Sequence, residues 1–218
     1  MTNEGLPMTL STIQALEKLR HGHRHFLSQA PSPVSDHALI RRLHDDGQHP
    51  FATVVTCSDS RVSPEILFSC RLGDIFTIRT AGHVLTDIEF ASIEYALDHL
   101  HTPLVLILAH THCGAVKSAC MTPEVSASSR LQALLDEITP SVYAAKAHPV
   151  HDIPLTQQVE DIHLERTLER LVRLPHFKDR ANLMMAAKYD IESSQILYLK
   201  SASFEDDGQL TIQTHPWQ

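Results

Sequence analysis

An unbroken apolar run, Leu-Val-Leu-Ile-Leu-Ala at residues 104–109, is the feature that most restricts what this chain can form. A run with no polar face is typical of a central strand that is covered on both sides in a parallel sheet. A second run at 52–56 is rich in β-branched residues and has the same character. Segments with helical spacing of apolar residues separate these strands. The sequence therefore predicts an α/β fold around a parallel sheet.

Local spacing predicts the other elements. Ile13, Leu16 and Leu19 indicate an amphipathic helix that Gly22 interrupts, and Ser35 is expected to cap a second helix. A capping box is expected where Thr86 is followed three residues later by Glu89. The remaining expected elements are strands at 75–80, 183–189 and 196–199, a helix at 157–173 and a hairpin turn at 206–208.

Composition restricts the function classes. The chain has 218 residues and a formal net charge of −8, which argues against a nucleic-acid-binding surface. No apolar stretch approaches the length of a membrane span, and the first residues lack the basic segment and apolar core of a signal peptide. We therefore expect a cytoplasmic protein that binds neither nucleic acid nor membrane, with a flexible segment at 1–9 and a single domain at 10–218.

Two turns carry the residues with chemical potential. Cys57, Asp59 and Arg61 follow the strand at 52–56, and His110 and Cys113 follow the run at 104–109. A parallel sheet places both turns at the carboxyl edge of its strands, where ligands bind in open α/β folds. Two thiolates and one imidazole are a known ligand set for catalytic zinc, which keeps its fourth position open. Because the thiols are expected to stay reduced, metal binding or catalysis is favoured over a disulfide scaffold.

Other interpretations of the same residues stay open at this point. Either thiol, taken singly, could be a buried structural cysteine, and Asp59 with Arg61 could be an ordinary ion pair of a loop. A cysteine nucleophile of the phosphatase kind is a further alternative, although its loop between Cys and Arg is usually longer and it leaves His110 and Cys113 unexplained. The alternating residues His21, His23 and His25 are a weaker candidate for a metal site.

The motifs together resemble those of the β-class carbonic anhydrases. The matching segments are Cys-Ser-Asp-Ser-Arg-Val from 57, Gly-Asp-Ile-Phe-Thr-Ile-Arg from 73, Ala-Gly from 81, Ser-Ile-Glu-Tyr-Ala from 92 and His-x-x-Cys-Gly-Ala-Val from 110. The resemblance implies one Zn²⁺ per chain and the interconversion of CO₂ and bicarbonate. It also implies a parallel sheet with an antiparallel edge strand, flanked by helices. The family forms obligate homodimers or larger oligomers with active sites at the subunit interface, so the N-terminal helices are expected to pack on a partner.

The resemblance also assigns roles to individual residues. Cys57, His110 and Cys113 are the implied zinc ligands, and Asp59, held by Arg61, orients the zinc-bound hydroxide that attacks CO₂. Gln48 matches a glutamine that hydrogen-bonds the substrate across the dimer interface, and Phe76 matches an aromatic residue of the apolar CO₂ pocket.

Several positions depart from the family pattern. Thr80, His83, His23 and His163 stand where asparagine is usual, and Ala109 replaces a glycine. None of these changes removes a ligand, but those at 80 and 83 can alter hydrogen bonding around the site. Relatives also use the same zinc to hydrolyse COS or CS₂, which is the main alternative function. A zinc protein without activity on the same fold is less favoured, because simple metal retention gives no role to Asp59 and Arg61.

Overall fold

Six strands form one sheet in the described part of the chain, which comprises residues 11–29, 37–121, 129–205 and 207–217 of a computed structural model. The strands are β1 Ala52–Cys57, β2 Ile75–Thr80, β3 Val105–His110, β4 Met184–Tyr189, β5 Ile196–Phe204 and β6 Leu210–His215. Their order in the sheet is β2-β1-β3-β4-β5-β6. The first four strands in this order are mutually parallel, so the α/β fold and the parallel sheet are confirmed.

The antiparallel part of the sheet contains more strands than expected. Two strands, β5 and β6, extend the sheet beyond β4, where a single antiparallel strand was predicted. β5 continues to Phe204, five residues past the predicted end at Leu199, because it pairs with β6 along its second half. The hairpin between them closes through the Gly208 N–H donating to the Glu205 carbonyl at 2.8 Å. Asp206 of the predicted turn lies outside the described residues.

Helices cover both faces of the sheet. They are α1 Thr12–Leu27, α2 His37–Asp46, α3 Pro64–Leu67, α4 Asp87–Asp98, α5 Gly114–Met121, α6 Arg130–Ala147, α7 Leu155–Arg173 and α8 Pro175–Lys178, with 3₁₀ turns at Ala81–His83 and Ala181–Leu183. Alternate residues of β1 and β3 enter two different apolar clusters. Leu106 and Leu108 pack towards α1 and α3, whereas Val105 and Ile107 pack towards α4 and α7. This two-sided burial explains why the β3 segment has no polar face.

Helix α1 passes through Gly22, so the predicted interruption is wrong. A Cβ at Gly22 would lie 1.8 Å from the Phe68 carbonyl oxygen, and the glycine therefore permits a close approach of α1 to the end of α3. The helix begins with a capping box at Ser11 and buries Ala15, Leu16 and Leu19 in the core of its own chain. The packing of the N-terminal helices on a partner remains a prediction.

The alternating histidines of α1 point in different directions. His23 is buried and its Nδ1 donates to the Leu67 carbonyl at 3.1 Å, whereas His25 lies 3.2 Å from the Ser69 hydroxyl and His21 is exposed. The three do not form a group of potential metal ligands among the described residues.

Two further expectations lie elsewhere in the chain. The capping box at Thr86 and Glu89 is confirmed at the start of α4. Residues 1–9 and the cap at Ser35 lie outside the described residues. In the described part of the chain, every helix is too short or too polar to cross a bilayer.

Candidate metal centre

The carboxyl ends of β1 and β3 meet because these strands are parallel neighbours. Thr56 of β1 is in register with Leu108 of β3, so β1 ends at Cys57 beside the end of β3 at His110. The turn after β3 then brings Cys113 back at the start of α5. The predicted juxtaposition of the two turns is therefore present in the fold.

The side chains of Cys57, His110 and Cys113 converge on one point. Their ligand atoms all lie within 4.8 Å of one another, and all three residues are buried. His110 Nδ1 donates to the Thr111 carbonyl at 2.8 Å, which leaves the lone pair on Nε2 free for a metal. Nε2 is buried and has no hydrogen-bond partner among the described residues. A buried acceptor without a partner is costly unless something binds it, so these residues fit a zinc ion.

Electrostatics also favours a cation between the two thiols. The neighbouring Cys113 thiol contributes most to lowering the pKa of the Cys57 thiol, followed by the nearby His110 and by the backbone N–H groups of Gly82 and Asp59 that donate to its Sγ. The charged Cys57, together with burial, raises the pKa of Cys113 well above its usual value. Without a cation between them, the two neighbouring thiols therefore oppose each other's ionisation. A divalent cation stabilises both thiolates.

Asp59 is engaged by Arg61. Arg61 Nη2 donates to Asp59 Oδ2 at 2.7 Å, and Arg61 Nε and backbone N–H both donate to Oδ1 at 2.9 Å. These contacts hold the pKa of the Asp59 carboxyl well below its usual range, the Arg61 side chain contributing most. The carboxylate is thus ionised and fixed beside Cys57, and in this structure it is outside the group of potential metal ligands.

Arg79 restrains the same loop from β2, a role that the sequence analysis did not assign. Its Nε donates to the Cys57 carbonyl at 3.1 Å and its Nη2 to the Asp59 carbonyl at 2.7 Å. β2 pairs with β1 so that Cys57 is in register with Thr80, which places Arg79 beside the loop. The conspicuous Gly-Asp-Ile-Phe-Thr-Ile-Arg motif was the available signal.

Gly82 forms hydrogen bonds both to the ligand residue Cys57 and to His163, one of the residues that depart from the family pattern. Its N–H donates to Cys57 Sγ at 3.2 Å, and its carbonyl accepts from His163 Nε2 at 3.0 Å. The glycine has a φ of +65°, and a Cβ would meet Ile138 and Ala115 at 3.0 and 3.1 Å. His163 thus takes over a donor role that an asparagine amide can fill. The ring of His83 lies 4.6 Å from that of His163 and is tilted by 40° to it, and both His83 ring nitrogens lack partners among the described residues.

Neither of the two predicted substrate-binding residues belongs to the ligand cluster. Gln48 is exposed after α2 and makes no hydrogen bond or ion pair within the described ranges. Phe76 is half-buried on β2, with its ring 6.1 Å from that of Tyr95. Their roles remain predictions.

A second group of potential ligands, Glu94, Asp98 and His176, lies apart from this centre. Its members are exposed or half-buried, and Asp98 is already paired with the Arg180 guanidinium. A cation there would compete with a bound positive charge, so this group is an ion-pair cluster of the surface.

Comparison with known proteins identifies the family. The carbonic anhydrase family model matches residues 52–196, which include all three converging side chains. A carbonic anhydrase of Mycolicibacterium smegmatis is 35% identical over 162 residues, covering 73% of this chain and 77% of the relative. Carbonic anhydrase 2 of Mycobacterium tuberculosis is 32% identical over 162 residues, which also cover 73% of this chain and 77% of the relative.

Solved structures agree with the fold. The β-carbonic anhydrase CcaA superimposes with a TM-score of 0.63 at 24% identity, covering 92% of this chain and 90% of that one. The β-carbonic anhydrase CafA of Aspergillus fumigatus gives a TM-score of 0.61 at 25% identity, covering 73% and 79% of the two chains. With its matching fold and its Cys-His-Cys centre, the chain belongs to the carbonic anhydrase family, within the β class.

Proposed function

We propose that this protein catalyses the reversible hydration of CO₂ to bicarbonate and a proton, with one Zn²⁺ per chain held by Cys57, His110 and Cys113. The observation that carries the proposal is the buried convergence of these three side chains around an unpartnered His110 Nε2. When bound there, zinc supplies a Lewis acid that makes a coordinated water a nucleophile near neutral pH. With three protein ligands, such a zinc would keep one coordination position for that water.

Asp59 and Arg61 orient the attacking water in this proposal. Two thiolates cancel the formal charge of the cation, so the water is activated less than at a site with three neutral imidazoles. A fixed acceptor near the nucleophile therefore contributes more. The Asp59 carboxylate can accept a hydrogen bond from the water, and the two-point contact with Arg61 keeps it ionised and limits its rotation.

The substrate site and the assembly are part of the same proposal. Phe76 supplies apolar surface for CO₂, and Gln48 serves the active site of a partner subunit, which accounts for its lack of polar contacts within the described part of its own chain. The proposed state is a homodimer or a larger homo-oligomer. The fold is similar to that of β-carbonic anhydrases of Sordaria macrospora that are described as tetrameric, and this similarity supports the proposal of an oligomer.

The test combines metal analysis with stopped-flow CO₂ hydration. We expect one zinc per chain and rapid hydration for the natural protein, with both lost in Cys113→Ser. Cys120→Ser is the matched control, because Cys120 is a half-buried cysteine on α5, the helix that begins directly after Cys113, and it belongs to no group of potential ligands among the described residues. A control variant that loses zinc in parallel, or a metal-free protein that is fully active, would show that the ligand assignment is wrong.

The roles of Asp59 and the substrate need separate measurements. We expect Asp59→Asn to retain zinc and lose about 10- to 100-fold in kcat/KM for hydration, the usual cost of removing an orienting partner beside a metal. The alternative function, hydrolysis of COS or CS₂, is tested by sulfide release from the same protein. Negligible CO₂ hydration with rapid sulfide release would replace the proposed function by the alternative.

A further inference from the structure

We propose that Lys188 is a positioning residue of the metal centre, which it supports by holding the Glu160 carboxylate against the backbone of Cys113. The inference deepens the proposed function, because it concerns the same centre, but it requires only that the centre binds a metal.

Lys188 is a buried cation within the sheet. It lies on β4, where it is in register with Ala109 of β3, and only 1% of its side chain is exposed. Its ammonium group is 3.2 Å from Glu160 Oε2 and 2.7 Å from Asp161 Oδ1, both in the N-terminal half of α7. A lysine so thoroughly removed from water is rare unless its charge is paired.

Glu160 transmits this contact to a metal ligand. Its second oxygen, Oε1, accepts a hydrogen bond from the Cys113 backbone N–H at 3.1 Å. The side chain is only 4% exposed, so its charge is balanced by these neighbours and not by water. One carboxylate thus joins the Lys188 ammonium to the peptide group of a ligand residue. Such outer contacts fix the direction in which a ligand presents its donor atom.

The position of Lys188 is itself fixed from the other side. Asp161, its second carboxylate partner, also accepts a hydrogen bond from the Tyr198 hydroxyl on β5. Burial, and then the charge of Asp161, raise the pKa of Tyr198, so the hydroxyl remains a donor. The chain of contacts therefore runs from β5 through Asp161, Lys188 and Glu160 to Cys113, and it crosses the interface between α7 and the sheet.

An ion pair that only fastens α7 to the sheet is the competing explanation, and the chain contains a matched control for it. Lys200 on β5 pairs with Glu165 on α7 at 3.0 Å, which joins the same helix to the same sheet. Its side chain is 15% exposed, and neither partner contacts a ligand residue. A purely structural role predicts that the two lysines have the same effect on the metal centre, namely none.

The experiment measures metal affinity and ligand geometry without substrate. Zinc dissociation constants are determined by competition with a chromophoric chelator for the natural protein, Lys188→Met, Glu160→Leu, Glu160→Gln and Lys200→Met. The thiolate-to-cobalt charge-transfer absorption of the Co²⁺-substituted proteins is recorded in parallel. We expect Lys188→Met and Glu160→Leu to weaken zinc binding about 10- to 100-fold and to alter the cobalt band. Lys200→Met should leave both unchanged.

Glu160→Gln keeps the experiment decisive if Lys188→Met does not fold. An amide oxygen can still accept from the Cys113 N–H, so we expect this variant to bind zinc more tightly than Glu160→Leu. The proposal is overturned if Lys188→Met, or in its absence both Glu160 variants, match Lys200→Met in affinity and cobalt spectrum. These measurements involve no CO₂. If the variants change zinc affinity as expected but the natural protein does not hydrate CO₂, the proposed function is wrong and the role of Lys188 still holds.

Discussion

Replacing His163 by asparagine should remove a defined part of the acid sensitivity of this protein. His163 is buried beside Gly82, and burial is the main cause that lowers its pKa from 6.5 to about 4. Below pH 6.5 the unfolded chain therefore binds a proton that the native protein does not bind until the pH approaches 4. The stabilisation from a neutral His163 is complete above pH 6.5 and is lost progressively as the pH falls towards 4.

The size of the effect follows from these two values. At pH 5 the unfolded imidazole is protonated in roughly 30-fold excess over its neutral form, whereas the native one is only about one-tenth protonated. Between pH 7 and pH 5, His163 should therefore reduce the free energy of unfolding by about 2 kcal/mol. With an m-value of about 2 kcal/mol/M, this corresponds to a decrease of about 1 M in the urea midpoint.

The assay compares urea midpoints of the natural protein and His163→Asn at pH 7, 6 and 5. Asparagine can still donate to the Gly82 carbonyl but does not titrate in this range. The metal ligands and Asp59 are present in both proteins, so the difference between the two pH profiles reports His163 together with its effect on the neighbouring His83. Parallel profiles, with the variant losing as much stability as the natural protein, would refute the reasoning.

Two further variants test other contacts. Gly22→Ala should lower the free energy of unfolding by about 1–3 kcal/mol, because its Cβ would meet the Phe68 carbonyl at 1.8 Å. Thermal unfolding measures this loss. Gly114→Ala is the control, because its Cβ would meet nothing within 4 Å. Arg79→Met should retain zinc but reduce kcat/KM for hydration by about tenfold or more, because the loop carbonyls of Cys57 and Asp59 lose their donors. Unchanged kinetics would show that Arg61 alone fixes the loop.

The features that could be predicted from the sequence depend on short-range patterns. The strand at Ile75–Thr80 and the capping box at Thr86 have the predicted bounds, because alternation and capping are local properties. The metal centre could also be predicted, since each half lies directly after an apolar strand and parallel strands end at one edge.

The features that were missed depend on contacts distant in sequence. From the sequence alone, Gly22 is typical of a helix interruption. Only the fold shows that the Phe68 carbonyl lies so close to α1 that this position requires a glycine. Lys188 interrupts an otherwise apolar strand and would be expected to face solvent, yet two carboxylates of α7 bury it. Arg79 gains its role only from the register of β2 against β1. Nothing local distinguishes these residues from ordinary ones, because their partners are between 20 and 46 positions away in the sequence.

The adjacency of the ends of β1 and β3 also makes the metal centre a cross-link of the chain. A cation bound by Cys57 and His110 closes a loop of 53 residues (110 − 57). In a chain-entropy description, a permanent link across such a loop disfavours the unfolded ensemble by about 4 kcal/mol at 25 °C. In the proposed function the zinc ligands therefore also cross-link the chain, and we expect removal of the metal to loosen the pairing of β1 and β3 as well as to abolish activity.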